Sequence, residues 1–475
     1  MATAVPRTRV LTAAPARVAQ QAGVAIGVAS VVGAVAWLVM AAAQRPSSLS
    51  PPTLRTPALW LLGPLHGLLP HLTAEVARLH TDMVVVLLVA GAGWALAWAV
   101  APAVRPGVLL AASAAAQALL VLGPPLPLTD VFNYELYGRM AALHGLNPYR
   151  SIPVDASLDP TYLLANWHHL RSPYGPVFTL LSEALVPFGA HGWLWAWKAI
   201  VLVGGVATVA LVGAIAGRLG ASRQRAIAAF GLSPVLLIAE VGGLHNDVPA
   251  MLCLVAAAWC LVRGRAADAP RWVDPAAGAL VVAAAGIKPS FAIVVGIVVL
   301  GAQRRPLAIA GAAAAATVVG LIIMVTYGAA LPDVRTQSAL VTPLSVPNLL
   351  GLAAGHGGAD AAVRSVAQVV LLLVAAAATA AVALRRARAL PAIAAVMVAT
   401  LVTLPWVMPW YLVWSVPFLA LARPRLAAPL VVLATCWLVV GGLPSLPGIL
   451  HHFGYFPTRL DTGLANHREF VRLVK

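Results

Sequence analysis

The chain has 475 residues, of which 61% are hydrophobic and only 10% charged, and its mean hydropathy is +0.89. A soluble globular chain is nearer half apolar and a quarter charged, which excludes a soluble enzyme, a disordered tail and a nucleic-acid-binding module. The formal net charge of +16 therefore marks topology, because Lys and Arg in short loops define the cytoplasmic side of a membrane protein.

The chain reads as an all-α polytopic membrane protein forming a single integral membrane domain over residues 1–475, with about 13 transmembrane helices, outer-face loops and interfacial helices. The apolar runs, each measured against ~20 residues per crossing, begin with Ala22–Ala43, Met83–Ala103, Gly107–Leu126, Gly192–Ala216, Ala226–Val241 and Val248–Val262. They continue with Ala276–Ile287, Phe291–Ala302, Pro306–Tyr327, Ala362–Leu384, Leu390–Leu404, Tyr411–Ala422 and Ala427–Gly442. The first follows a basic N-terminus and is too long for a signal-peptide core, so it reads as an uncleaved span.

A cytoplasmic N-terminus makes the charges consistent. The cytoplasmic loops then hold 17 of the 31 basic residues, from Arg7 to Arg425, and only Asp268 and Asp274 of the 15 acids. Most of the acids and His fall on the outer side, so function is expected on the outer face of the plasma membrane. Parity requires Val177–Gly189, a short run carrying Glu183 and Pro187, to be an interfacial or re-entrant helix rather than a crossing. Cys253, Cys260 and Cys436 lie in apolar runs and indicate no disulfide framework.

Three outer loops are long, Gln44–Asp82, Leu128–Tyr174 and Gly328–Asp360, and loops of this length are commonly functional or disordered. The second, residues 128–174, is rich in Tyr, Trp, Asn, His and Pro and is expected to be the catalytic loop. The tail, residues 443–475, is polar and is placed outside.

The stretch LTDVFNYELYGRMAALHGLNPY puts Asp130 directly after the third apolar run. A carboxylate there costs free energy unless it is paired or faces a wet cavity. Helical spacing puts Tyr134 and Tyr137 near its face; Asn147 and Tyr149 follow. Asp130 reads either as a helix cap or as a base, and the two roles are compatible. In WHHLRSPYGP, His168, Arg171 and Tyr174 suit an anionic lipid head group, or form an ordinary aromatic belt. The adjacent His168 and His169 lack a third ligand at metal-binding spacing, and no metal site is expected.

LHNDVP brings His245, Asn246 and Asp247 to one hinge, either a capped polar turn or a functional boundary cluster. Lys288, in GIKPSF between two apolar runs, is costly there, and Pro289 implies a broken helix; a phosphate is the expected partner. PWVMPWYLVW carries Trp410 and Tyr411 and reads as an aromatic belt, or as the wall of a sugar or prenyl site. No nucleotide-binding or hydrolase motif accompanies these, so a nucleotide-sugar donor is unsupported.

DVFNYELYGRM, GLNPY, SPYGP, LHNDVPAM, the IKP lysine and PWYLVW, in that order, resemble membrane glycosyltransferases of the C-type superfamily. More narrowly they resemble the actinobacterial polyprenol-phosphomannose-dependent α-1,6-mannosyltransferases. The resemblance implies Asp130 as the catalytic carboxylate and a polyprenyl-phosphate-linked sugar as donor. It implies a glycolipid or envelope-polysaccharide acceptor, inversion at the anomeric carbon, and no cofactor. Many superfamily members carry a paired acidic motif at this position, whereas here Val131 and Phe132 follow Asp130 and Glu135 is the next acid. Transfer of another sugar such as arabinofuranose, or transport of a lipid-linked sugar, are the alternative readings.

Overall fold

The computed structural model describes residues 13–44, 58–68, 76–126, 129–441, 443, 445–455 and 461–475. Most of the loop Gln44–Asp82, the basic start of the N-terminus, Leu128 and part of the tail lie outside the described residues. Among the described residues the secondary structure is helical, with no strand.

Each of the thirteen apolar runs is helical over most of its described length, but they are not equivalent. Six helices are long and apolar enough to cross a membrane: Pro15–Ala42, Asp82–Ala99, Pro176–Arg218, Arg305–Thr326, Ala361–Ala383 and Pro424–Gly441. A seventh arises if the bent pair Arg223–Gly231 and Val235–Val241, 41° apart, is one crossing. Five further apolar helices have only 10–17 residues, so length and composition do not establish thirteen crossings. The membrane character itself is plain. Arg305–Thr326 and Ala361–Ala383 bury few side chains and expose Leu321, Met324, Val325, Leu372 and Leu373, which in water would be a large apolar patch and in a bilayer is a lipid-facing surface.

Val177–Gly189 belongs to the apolar run Pro176–Arg218. Its first helix, Pro176–Leu185, buries Phe178, Thr179, Ser182 and Leu185 against Asp130–His144. A short 3-10 turn at Val186–Phe188 then leads into Gly189–Arg218, so the two apolar runs form one continuous candidate crossing by length and composition.

Close helix contacts depend on small residues. Val273–Ile287 packs along both Asp247–Arg263 and Arg305–Thr326. A Cβ at Gly278 would overlap the carbonyl of Ala308, and one at Gly311 that of Pro275, so these backbones touch in the manner of small-residue membrane interfaces.

Two chain segments run from a basic turn to the clustered polar residues. Arg223–Gly231 and the π-helix Val235–Val241 lead from Arg223 and Arg225 to His245. Likewise Pro409–Trp414 and Val416–Ala422 lead from Trp410 to Arg423 and Arg425. The Arg-rich turns and the polar cluster thus occupy opposite ends of the same segments. The tail helix Asp461–Val474 docks on the cluster's end, where the His169 N–H donates to the Leu473 carbonyl at 3.0 Å.

Candidate active site

Chain breaks build the site. The residue before a proline is pushed out of the helical region into extended backbone. Lys288, at φ −131° and ψ 109°, ends Val273–Ile287 before Pro289. Met408, at φ −107° and ψ 154°, does the same before Pro409. The third break follows the π-helix, where Leu244 takes φ +57°. Its carbonyl is held by the Trp197 indole at 2.8 Å, and left-handed backbone at a bulky residue is strain that surrounding structure must hold. Gly175 closes the loop onto the lysine: its N–H donates to the Ile287 carbonyl at 3.0 Å, and a Cβ there would overlap the Gly286 carbonyl.

Asp130 is the first residue of Asp130–His144 and its side chain makes no capping bond. Oδ1 instead accepts from the Trp167 indole N–H at 3.0 Å, and Oδ2 lies 3.8 Å from His245 Nδ1. The carboxylate keeps 13% of its surface exposed. Burial pushes its carboxyl from 3.8 up to about 6, opposed by the Trp167 hydrogen bond and the Lys288 charge, and reinforced by Asp247. His245 stacks on Trp410 at 3.6 Å and 13°. Burial, with Lys288 nearby, holds it well below the usual histidine range, so it is neutral at ordinary pH. Tyr134 lies 3.4 Å from His245 Nδ1 and 3.5 Å from Asn246 Oδ1. Burial first, and then the carboxylates of Asp130 and Asp247, keep its phenol protonated.

Beside this lies a buried ion pair. Lys288 Nζ is 2.6 Å from each oxygen of Asp247, and the Trp414 indole donates to Asp247 Oδ1. The ammonium also sits 4.5 Å from the Tyr411 ring centre. Removing one partner of such a pair strands the other charge, at a cost of about 3–5 kcal/mol.

A narrow cavity joins these groups, lined by Asp130, Tyr134, Trp167, Tyr174, Lys288, Trp406, Trp410 and Tyr411 among others. A wider, more open cleft shares Tyr174, Lys288, Gln337, Trp406 and Tyr411 with it, and adds Ser290, Arg335, Ser338 and Gln368. Lys288 stands in the wall between the two.

The structure brings Asp130, Tyr134, Tyr174, Lys288, Trp410 and Tyr411 to the cavity, with His245, Asn246 and Asp247 directly behind it. Other expected contacts have structural partners instead. Tyr137 donates to the Leu170 carbonyl at 2.6 Å. Asn147 donates to the Tyr327 carbonyl at 2.7 Å, and Tyr149 bonds the Tyr174 carbonyl and Thr179. His168 stacks on Tyr162 at 4.1 Å and bonds its carbonyl. Arg171 is exposed and lines neither cavity. Trp167, Gln337, Trp406 and Arg335 were not singled out from sequence; the first three line the cavity and the last the wider cleft.

Glu135, the next acid after Asp130, is fully buried and neither oxygen has a hydrogen-bond partner. Burial outweighs the Arg139 charge and, with Asp159 adding to it, pushes its carboxyl up to about 8, so at neutral pH it is an un-ionised acid. Among the described residues no group of three or more His, Cys, Asp or Glu converges as metal ligands.

The chain is thus a helical membrane protein with a carboxylate in an aromatic cavity and a lysine shared with an adjoining cleft. Residues 71–304, just under half of the chain, match the family described as "Alpha-(1->6)-mannopyranosyltransferase, N-terminal domain", which supports a relationship to α-1,6-mannosyltransferases. A probable α-(1→6)-mannopyranosyltransferase of Mycolicibacterium smegmatis is 27% identical over 33% of this chain and 29% of its own length. The α-(1→6)-mannopyranosyltransferase of Mycobacterium tuberculosis is 24% identical over 68% of this chain and 66% of its own. For α-(1→6)-mannopyranosyltransferase A of Corynebacterium glutamicum the identity is 22%, over 64% and 69%. The matched parts thus take in under two thirds of the first two relatives. No solved structure matches the chain.

Proposed function

We propose that the protein transfers a sugar, most directly mannose, from a polyprenyl monophosphate to a hydroxyl of a glycolipid or envelope-polysaccharide acceptor at the outer face of the plasma membrane. The observation that carries this reading is the pair of joined cavities. The aromatic one holds a partly open carboxylate, and the wider one, bordered by Lys288 and Arg335, suits a phosphate and the first units of a lipid chain.

In this reading the donor sugar lies against Trp167, Tyr174, Trp406 and Trp410, and its anomeric phosphate lies at Lys288. The acceptor oxygen attacks the anomeric carbon from the side opposite the phosphate. The carbon–oxygen bond to phosphate breaks with its electron pair, leaving polyprenyl phosphate, and Asp130 takes the hydroxyl proton. The product is inverted. Lys288 retains donor capacity beyond the two contacts to Asp247, and a fixed cation where leaving-group charge develops lowers the barrier without reorganisation. His245, being neutral and 3.8 Å from Asp130 Oδ2, packs beside the carboxylate rather than binding the phosphate. A base at hydrogen-bond range contributes typically 10²–10⁴-fold. A lipid monophosphate presents no pyrophosphate for a divalent ion to bridge, so the reaction is proposed to need none.

The test offers purified protein either polyprenyl-phosphate-mannose or GDP-mannose with a mannan-type glycolipid acceptor, with and without EDTA. Transfer from the lipid donor alone, unaffected by EDTA, is expected. Use of GDP-mannose contradicts the donor assignment, and EDTA inhibition reversed by Mg²⁺ or Mn²⁺ contradicts the metal-free step.

A further inference from the structure

The cavity wall that holds Asp130 is braced by a part of the chain more than three hundred residues away. Trp167, whose indole N–H reaches Asp130 Oδ1 at 3.0 Å, meets Trp406 at 5.8 Å and 79° and Phe470 at 5.6 Å and 85°. Both are edge-on contacts, the geometry that aromatic pairs favour. Phe470 also leans on Trp406 at 6.2 Å. Leu473 is buried with Trp167, Leu170 and Leu340, and its carbonyl takes the His169 N–H, two residues from Trp167. The tail helix Asp461–Val474 thus touches the catalytic loop through backbone, aliphatic and aromatic contacts at once. Its outward face carries Arg468, and a Glu469–Arg472 pair closed at 2.6 Å.

We propose that Phe470 and Leu473 are positioning residues: the tail helix fixes the Trp167 indole in the plane from which it hydrogen-bonds Asp130, and so sets the orientation and charge state of the proposed base. This rests on the reading of Asp130 given above. The indole must stand edge-on to two rings and also aim its N–H at one carboxylate oxygen. With the Phe470 ring gone, one of the two edge-on contacts that fix the plane of the indole is lost, so the ring can tilt toward the space left, and a hydrogen bond weakens steeply once its angle falls toward ~120°. The groups facing Asp130 are Trp167, His245, Tyr134, Lys288 and Asp247. Loss of the Trp167 bond removes one of the two influences that hold the carboxyl down, so the base titrates at higher pH.

Two readouts separate this inference from the functional reading. The first is infrared titration of the protonated-carboxyl stretch that disappears in Asp130→Asn, measured on full-length protein without substrate. The second is the pH dependence of kcat and KM with polyprenyl-phosphate-mannose. Phe470→Ala is expected to move the Asp130 titration upward and to lower kcat about tenfold at pH 6.5, with KM within about twofold, as a misplaced reacting group does. Phe470→Tyr, which keeps the ring, should restore both, and serves if the alanine variant folds poorly. In a Trp167→Phe background, which lacks the N–H, Phe470→Ala should add nothing further, the non-additivity expected of residues acting through one contact. An unmoved carboxyl titration, or losses that add in the double variant, overturns the positioning role. A moved titration in a protein that transfers no mannose overturns the functional reading and leaves the positioning role standing.

Discussion

A base can accept a proton only when ionised, and in the proposed mechanism burial determines the pH at which Asp130 can serve as one. Its carboxyl is raised from 3.8 to about 6, so the competent form dominates above that pH and is lost below it. The log of kcat is accordingly expected to rise with unit slope up to about pH 6 and then level, measured with lipid donor at saturation. A limb centred near 4 would mean that the base is a carboxylate exposed to water. Glu135 is fully buried, lines neither cavity and has its carboxyl pushed up to about 8, and Asp247 is already committed to Lys288 and Trp414. Asp130, His245 and Lys288 were legible in sequence because an ionisable group at the edge of an apolar run needs a reason to be there. Arg171, His168 and Asn147 do not line either cavity, because neighbourhood in sequence does not fix side-chain direction. Arg171 shares a decapeptide with Trp167 and points to solvent. Trp167 itself was invisible as a hydrogen-bond donor, since its partner lies 37 residues away.

At the scale of elements, the breaks were more legible than the spans. Lys288–Pro289 was expected to end a helix and does so, because the steric rule before proline is local. Asp130 was open to reading as a cap, yet it sits inside the first turn and reaches across to Trp167 instead, a tertiary preference that local propensity does not contain. The loop after Asp130–His144 is tied back to that helix by Asp159, which accepts from Arg139 Nε at 2.9 Å and contacts His144 at 2.8 Å. Burial raises the Asp159 carboxyl, but Arg139, His144 and Thr161 outweigh it and bring it to about 2. With the folded value below the unfolded 3.8, this contribution to stability is complete above pH ~4 and is lost as pH falls toward 2. Thermal melts between pH 5 and 2.5 should show a decline that is smaller in Asp159→Asn. Parallel curves for the two proteins would remove Asp159 from the account of the loop's stability.

For the molecule as a whole, charge and hydropathy indicated a helical membrane protein, and the described residues are helical with six helices long and apolar enough to cross. Crossing number was less legible. Helices such as Val273–Ile287 and Ala389–Thr403 are apolar but only 15 residues long, and composition does not say whether such a helix spans or stops among its neighbours. Two positions report the orientation directly. Leu158, on the catalytic loop, is almost fully exposed, and Ser222 lies in the basic turn. With Cys253, Cys260 and Cys436 replaced, Leu158→Cys should react with a membrane-impermeant maleimide on intact cells. Ser222→Cys should react only after permeabilisation. The reverse pattern would invert the topology and put Asp130 on the cytoplasmic side.

The central claim is that Asp130 deprotonates an acceptor attacking a lipid-phosphate sugar. The most direct measurement is transfer of label from radiolabelled polyprenyl-phosphate-mannose into glycolipid, comparing wild-type protein with Asp130→Asn at equal folded amount and pH 7.5. The account predicts transfer by the wild type and a rate reduced about 10²–10⁴-fold in the variant, with donor binding retained. Transfer by Asp130→Asn at near the wild-type rate would contradict it.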